Sequence, residues 1–105
     1  MSEEAPQAGA GVPAGAISND LLIINKRGLH ARASAKFVQA VERFDAQVWV
    51  TRGGETVGGT SIMGLMMLAA GPGTTITVSA AGTDAEAALA AITDLVESKF
   101  NEEGI

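Results

Sequence analysis

The chain has 105 residues and a net charge of −5, with 7 basic and 12 acidic side chains, one histidine and no cysteine. That length holds one modest core and no second domain, and without cysteine neither a disulfide scaffold nor a thiolate zinc site is possible. The acidic balance, with Phe37, Phe44, Trp49 and Phe100 as the only aromatics, gives neither the basic face nor the stacking platform of a nucleic-acid binder.

Residues 1–16 carry Glu3 and Glu4 where a signal peptide would be basic. Pro6, Gly9, Gly11, Pro13 and Gly15 break any apolar stretch. Such a segment buries too little apolar surface to offset the cost of ordering it, so a flexible tail is expected over 1–16 and a single domain over 17–105. No run is long enough to span a bilayer, so a cytoplasmic monomer without membrane insertion is expected.

Ile17 to Ile24 ends in the apolar run Leu21-Leu22-Ile23-Ile24, which suits a buried strand. After Gly28, the positions Ala33, Phe37, Ala40, Val41 and Phe44 recur at helical spacing, leaving Arg32, Lys36, Gln39 and Arg43 on the wet face. Gln47 to Thr51 alternates Val48 and Val50 with polar neighbours. Arg52-Gly53-Gly54-Glu55 then turns the chain into Thr56-Val57-Gly58, which predicts a β-hairpin. Thr60 or Ser61 can cap a short helix from Ile62 to about Leu68, closed by Gly71. Thr74 to Ser79, with Ile76 and Val78 inward, predicts a fourth strand. Thr83 and Glu86 have capping-box spacing for a last helix whose apolar stripe is Ala85, Ala88, Leu89, Ile92, Leu95, Val96 and Phe100. The order is β-α-β-β-α-β-α. It fits an α+β domain in which helices cover one face of a mainly antiparallel sheet.

Chemistry enters at His30. The first N–H groups of a helix have no intrahelical partners, and Ser, Thr, Asp or Asn usually satisfies one of them. Here the cap position holds His30, followed by Ala31, Arg32 and Ala33, so the N–H groups and the positive end of the helix dipole can receive an anion such as phosphate. Arg32 adds a fork of donors suited to phosphate oxygens. Lys26, Arg27, Arg32 and Lys36 are four of the seven basic residues, and no acid lies between Asp20 and Glu42, so the region is locally positive. An imidazole nitrogen that accepts a phosphoryl group forms a reactive phosphoramidate, which can be passed on without an acid or base elsewhere in the chain.

The segment Gly28-Leu29-His30-Ala31-Arg32-Ala33-Ser34-Ala35-Lys36-Phe37-Val38, followed 31 residues after the histidine by Ser61-Ile62-Met63-Gly64-Leu65-Met66, resembles the HPr phosphocarrier family of the phosphoenolpyruvate-dependent phosphotransferase system. The resemblance runs from about Ile17 to the C-terminus. It implies an open-faced β-sandwich of four antiparallel strands with three helices on one face. It implies that His30 takes a phosphoryl group on Nδ1 from enzyme I and gives it to an EIIA domain, and that Arg32 neutralises the phosphate. A stoichiometric carrier is thereby expected, not an enzyme, with no cofactor and no metal. Ser61 matches a serine that a dedicated kinase/phosphorylase modifies in some members. Ile62, Met63 and Met66, with Arg27 and Lys36, match the partner-docking surface, and Met side chains adapt to more than one partner. Proline commonly follows the arginine in the family, where this chain has Ala33; alanine keeps the helix but leaves its first turn less fixed.

Each residue also has an ordinary reading: Arg32 as a solvated helix charge, Ser61 as an N-cap, and Ile62, Met63 and Met66 as core. Three functions fit the chain. One is a phosphoryl shuttle for sugar uptake, and the second is a nitrogen-type regulatory carrier using the same chemistry. The third, a docking module without phosphoryl chemistry, leaves His30 without a purpose.

Overall fold

The computed structural model describes residues 11–102, so residues 1–10 of the expected tail lie outside the described residues. Residues 11–16 form turns, and Ala16 N–H donates to the Pro13 carbonyl at 3.1 Å. The elements then run β1 (Ile17–Leu22), α1 (Ala31–Glu42), β2 (Gln47–Arg52), β3 (Glu55–Gly58), α2 (Ile62–Met67), β4 (Thr75–Ala81) and α3 (Ala85–Glu97), followed by a turn at Lys99–Asn101. The sheet order is β1-β4-β2-β3, with every pairing antiparallel. The expected architecture of four antiparallel strands and three helices is therefore the observed one.

The register explains why one face is dry. Leu21, Val48, Val50, Ile76, Val78 and Ala80 point to the helices and are buried together with Phe37, Val41, Leu65, Ile92 and Val96. On the opposite face the cross-strand neighbours are polar: Ser18 Oγ meets Ser79 Oγ at 2.8 Å, Thr77 Oγ1 donates to Asp20 Oδ1 at 2.7 Å, and Thr51 Oγ1 meets Thr56 Oγ1 at 2.8 Å. An antiparallel sheet covered on one side buries alternate apolar residues, while Thr51 and Ser79 on the other face are buried as hydrogen-bonded polar groups. This corrects the expectation of a continuously buried strand at Leu21 to Ile24. Leu21 and Ile23 are buried, whereas Leu22 and Ile24 are 53% and 40% exposed.

Three helix boundaries differ from their sequence signals. Of the two candidate caps of α2, Ser61 is the one used, its Oγ accepting from Gly64 N–H at 2.9 Å. Leu68 is the C-cap of that helix, and the left-handed residue after it is Ala69 (φ 54°), not the expected Gly71. The capping box at Thr83 does not form. Asp84 is the N-cap of α3, and its carboxylate instead accepts from Asp45 N–H at 2.8 Å, tying α3 to the turn before β2. Finally α3 stops at Glu97, so Phe100, read as the end of its stripe, lies beyond the helix. It is nevertheless wholly buried. Among the described residues no helix is long and apolar enough to cross a membrane.

Candidate functional site

The loop between β1 and α1 is shaped by Gly28. Its φ is +66°, and a side chain there would overlap the Ala70 carbonyl oxygen and approach Gly71 Cα to 2.8 Å. Only glycine meets both conditions without strain. This close approach lets Leu29 N–H donate to the Ala70 carbonyl at 3.0 Å, and it places His30 at the head of α1. His30 has extended backbone (φ −75°, ψ −179°), and its side chain makes no capping bond. Its carbonyl accepts the first helical bond, from Ser34 N–H at 2.8 Å. Among the described residues, the N–H groups of Ala31, Arg32 and Ala33 have no backbone partner. A proline at Ala33 would remove one of these three donors.

Arg32 is exposed beside them and makes no hydrogen bond or ion pair among the described residues. Lys26 and Arg27 are exposed too. Arg27, Leu29, His30 and Met66 line a shallow hollow of about 310 Å³ together with residues 69–71, which joins the histidine to α2. On α2, Ile62 is 41%, Met63 69% and Met66 40% exposed, so these three are surface and not core, whereas Leu65 is buried. Met67, not singled out in the sequence, is 72% exposed and widens the patch. Lys36 departs from its expected place on the wet docking face. It is half-buried, and its Nζ donates to the Phe100 carbonyl at 2.6 Å, because the chain after α3 folds back across α1.

That returning segment brings Glu102, which the sequence did not single out. Lys99, Phe100 and Asn101 have φ of 59°, 56° and 57°, three consecutive left-handed conformations without a glycine. Such backbone is costly and persists only where its surroundings enforce it. Here the Phe100 ring is locked in the core and its carbonyl is held by Lys36. The turn delivers Glu102 to His30, with Nε2 and Glu102 Oε2 2.5 Å apart; the two side chains are only 17% and 4% exposed. Asn25, buried in the loop, donates from Nδ2 to the Gly28 carbonyl at 2.8 Å and lies 3.3 and 3.2 Å from the two Glu102 oxygens. Among the described residues its Oδ1 has no partner. Such an orphan costs about 1–3 kcal/mol. Turning the amide over would be worse, since it would set oxygen against both the carbonyl and the carboxylate. Burial acts to raise the Glu102 carboxyl. Hydrogen bonds with His30 and Asn25, with the charges of His30 and Lys36, outweigh it and hold the group below its ordinary value.

Residues 17–98 match the family described as PTS HPr component phosphorylation site. The chain belongs to the PTS-HPr family. Phosphocarrier protein HPr of Neisseria meningitidis is 50% identical to it over 86 residues, which is 82% of this chain and 97% of that protein. Phosphocarrier protein NPr of Shewanella violacea is 43% identical over 86 residues, covering 82% and 94%. The crystal structure of HPr-C-His from Thermoanaerobacter tengcongensis aligns with a TM-score of 0.79 at 45% identity, covering 83% of this chain and 98% of that one. Membership of the HPr family makes this chain a phosphocarrier of the phosphotransferase system. Glu102 lies outside the residues matched to the family, which end at 98.

Proposed function

We propose that His30 is the phosphoryl acceptor, taking the group on Nδ1 from enzyme I and passing it to an EIIA domain in the cytoplasm. The observation that carries this reading is the head of α1, where an imidazole stands beside three N–H groups without backbone partners and an exposed arginine. Those donors and the helix dipole favour the phosphoryl charge, and the Arg32 guanidinium can bind its oxygens. Because the phosphoramidate bond is itself reactive, the chain needs only to be loaded and unloaded by its partners, as a stoichiometric carrier. The apolar patch of Ile62, Met63 and Met66, extended by Met67 and flanked by Arg27, is the docking surface; Lys36 serves the internal contact with Phe100 instead.

Similarity to HPr of Neisseria meningitidis supports a role in sugar uptake, and similarity to an NPr supports the nitrogen-type regulatory alternative. Incubation with enzyme I and phosphoenolpyruvate is expected to add one acid-labile phosphate, absent in His30→Ala. Label in His30→Ala would overturn the assignment. Arg32→Ala is expected to fold normally but accept phosphate more slowly, by an order of magnitude or more, since a charged hydrogen bond is worth roughly 1.5–3 kcal/mol. The EIIA proteins that take the label then distinguish sugar transport from regulation.

A further inference from the structure

We propose that Glu102 is a positioning residue for His30, accepting a hydrogen bond from Nε2–H so that Nδ1 presents its lone pair to the incoming phosphorus. The inference rests on the reading of His30 as phosphoryl acceptor and adds to it the group that selects the reactive nitrogen.

The geometry bears on tautomer choice directly. An ionised carboxylate has only acceptor sites, so the contact at 2.5 Å requires the hydrogen on Nε2. A neutral imidazole has one N–H, and the other nitrogen is then the nucleophile. Glu102 is itself held. Asn25 Nδ2 donates to it, the buried Phe100 anchors the turn before it, and Lys36 grips the Phe100 carbonyl from α1. Three left-handed residues in succession show that the backbone is bent to reach this place. Hydrogen bonds and neighbouring positive charge hold the Glu102 carboxyl below its ordinary value, so it is ionised, and an acceptor, at neutral pH.

In the transfer step the bond from Nδ1 to phosphorus forms with the nitrogen lone pair. The bond from phosphorus to its leaving group on the donor protein breaks, its electron pair departing with the donor. The Nε2 proton stays where it is. The ring gains positive character as the new bond forms, and the Glu102 carboxylate faces that charge from the opposite side of the ring to the phosphoryl group. Delivery to the next acceptor reverses these changes, so one contact serves both directions.

The test uses the full chain with 15N-labelled histidine, at a pH well above the ordinary histidine range, comparing the parent with Glu102→Ala and Glu102→Gln. The parent is expected to carry its proton on Nε2. Glu102→Ala is expected to give mixed tautomers and to accept phosphate from phospho-enzyme I about 10- to 100-fold more slowly, the range seen when the carboxylate behind a metal-bound histidine is removed. Glu102→Gln retains a neutral acceptor, so it should keep the Nε2–H tautomer while losing part of the rate. Thermal melts confirm that the variants are folded. A parent ring protonated on Nδ1, ring signals unchanged in Glu102→Ala, or faster transfer in that variant would each overturn the proposal while leaving His30 as acceptor. Absence of label in the parent would overturn both readings.

Discussion

At the His30 ring, the neighbours in sequence are basic and the neighbour in space is acidic. Glu102, 72 residues away, sets an ionised group against an imidazole that the local sequence surrounds with Lys26, Arg27 and Arg32. This has a consequence for stability. Because the Glu102 carboxyl titrates lower in the folded chain than in the unfolded one, the folded state binds fewer protons there. The stability it contributes is complete above the unfolded value, about 4.3, and is lost as pH falls through the folded value. Thermal melts of the parent and Glu102→Gln across this range should therefore show a difference at neutral pH that closes on acidification. A difference that persisted after pH had fallen through the folded value would contradict the assignment. Lys36 is informative in the same way: its helical position marks it as a solvent-facing charge, yet a long side chain beside a returning segment finds a carbonyl.

Among the elements, the loop at Gly28 and the short helix α2 set the surface around His30. Gly28→Ala combines a left-handed residue, costing about 1–2 kcal/mol, with a backbone clash at Ala70 and Gly71, costing about 1–3 more. Denaturant unfolding should show a loss of about 2–5 kcal/mol, with the amide signals of residues 29–33 displaced most. Loss under 1 kcal/mol would mean that the loop moves aside easily. For α2, Ser61→Ala removes the oxygen that accepts from Gly64 N–H and should cost about 1 kcal/mol. Ser61→Asp restores a capping oxygen and places charge beside Ile62, Met63 and Met66. It should keep near-parental stability while weakening binding of enzyme I and EIIA, by desolvation and by repulsion from acidic partners. Tight binding by Ser61→Asp would leave Ser61 as a cap alone. The periods of these elements were legible in the sequence, because amphipathic spacing follows from which face is buried. Their ends were less so. Asp84 capped α3 in place of Thr83 and bonded across to Asp45, and Ala69 took the left-handed position expected of a glycine; both are decided by what packs nearby.

For the molecule as a whole, the charge distribution makes a prediction that net charge would miss. Lys26, Arg27 and Arg32 form an exposed positive region around His30 on a chain of net charge −5. Association with enzyme I should slow as ionic strength rises, since surface charges are screened over about 8 Å at physiological salt. Stopped-flow rates independent of salt would assign encounter to the methionine patch. By itself the sequence determined the α+β class, the order of elements, the family and the location of His30 at a helix start. These follow from period, turn chemistry and short motifs, which are local. It could not show that Leu22 and Ile24 face solvent, because strand exposure depends on which face the helices cover. Nor could it place Glu102 against the imidazole, with Asn25 bonded to its carboxylate and Lys36 to the turn that carries it. Only the tertiary structure decided that, because it requires β1, α1 and the chain after α3 to meet, and their contacts carry no periodic or adjacent signal along the chain.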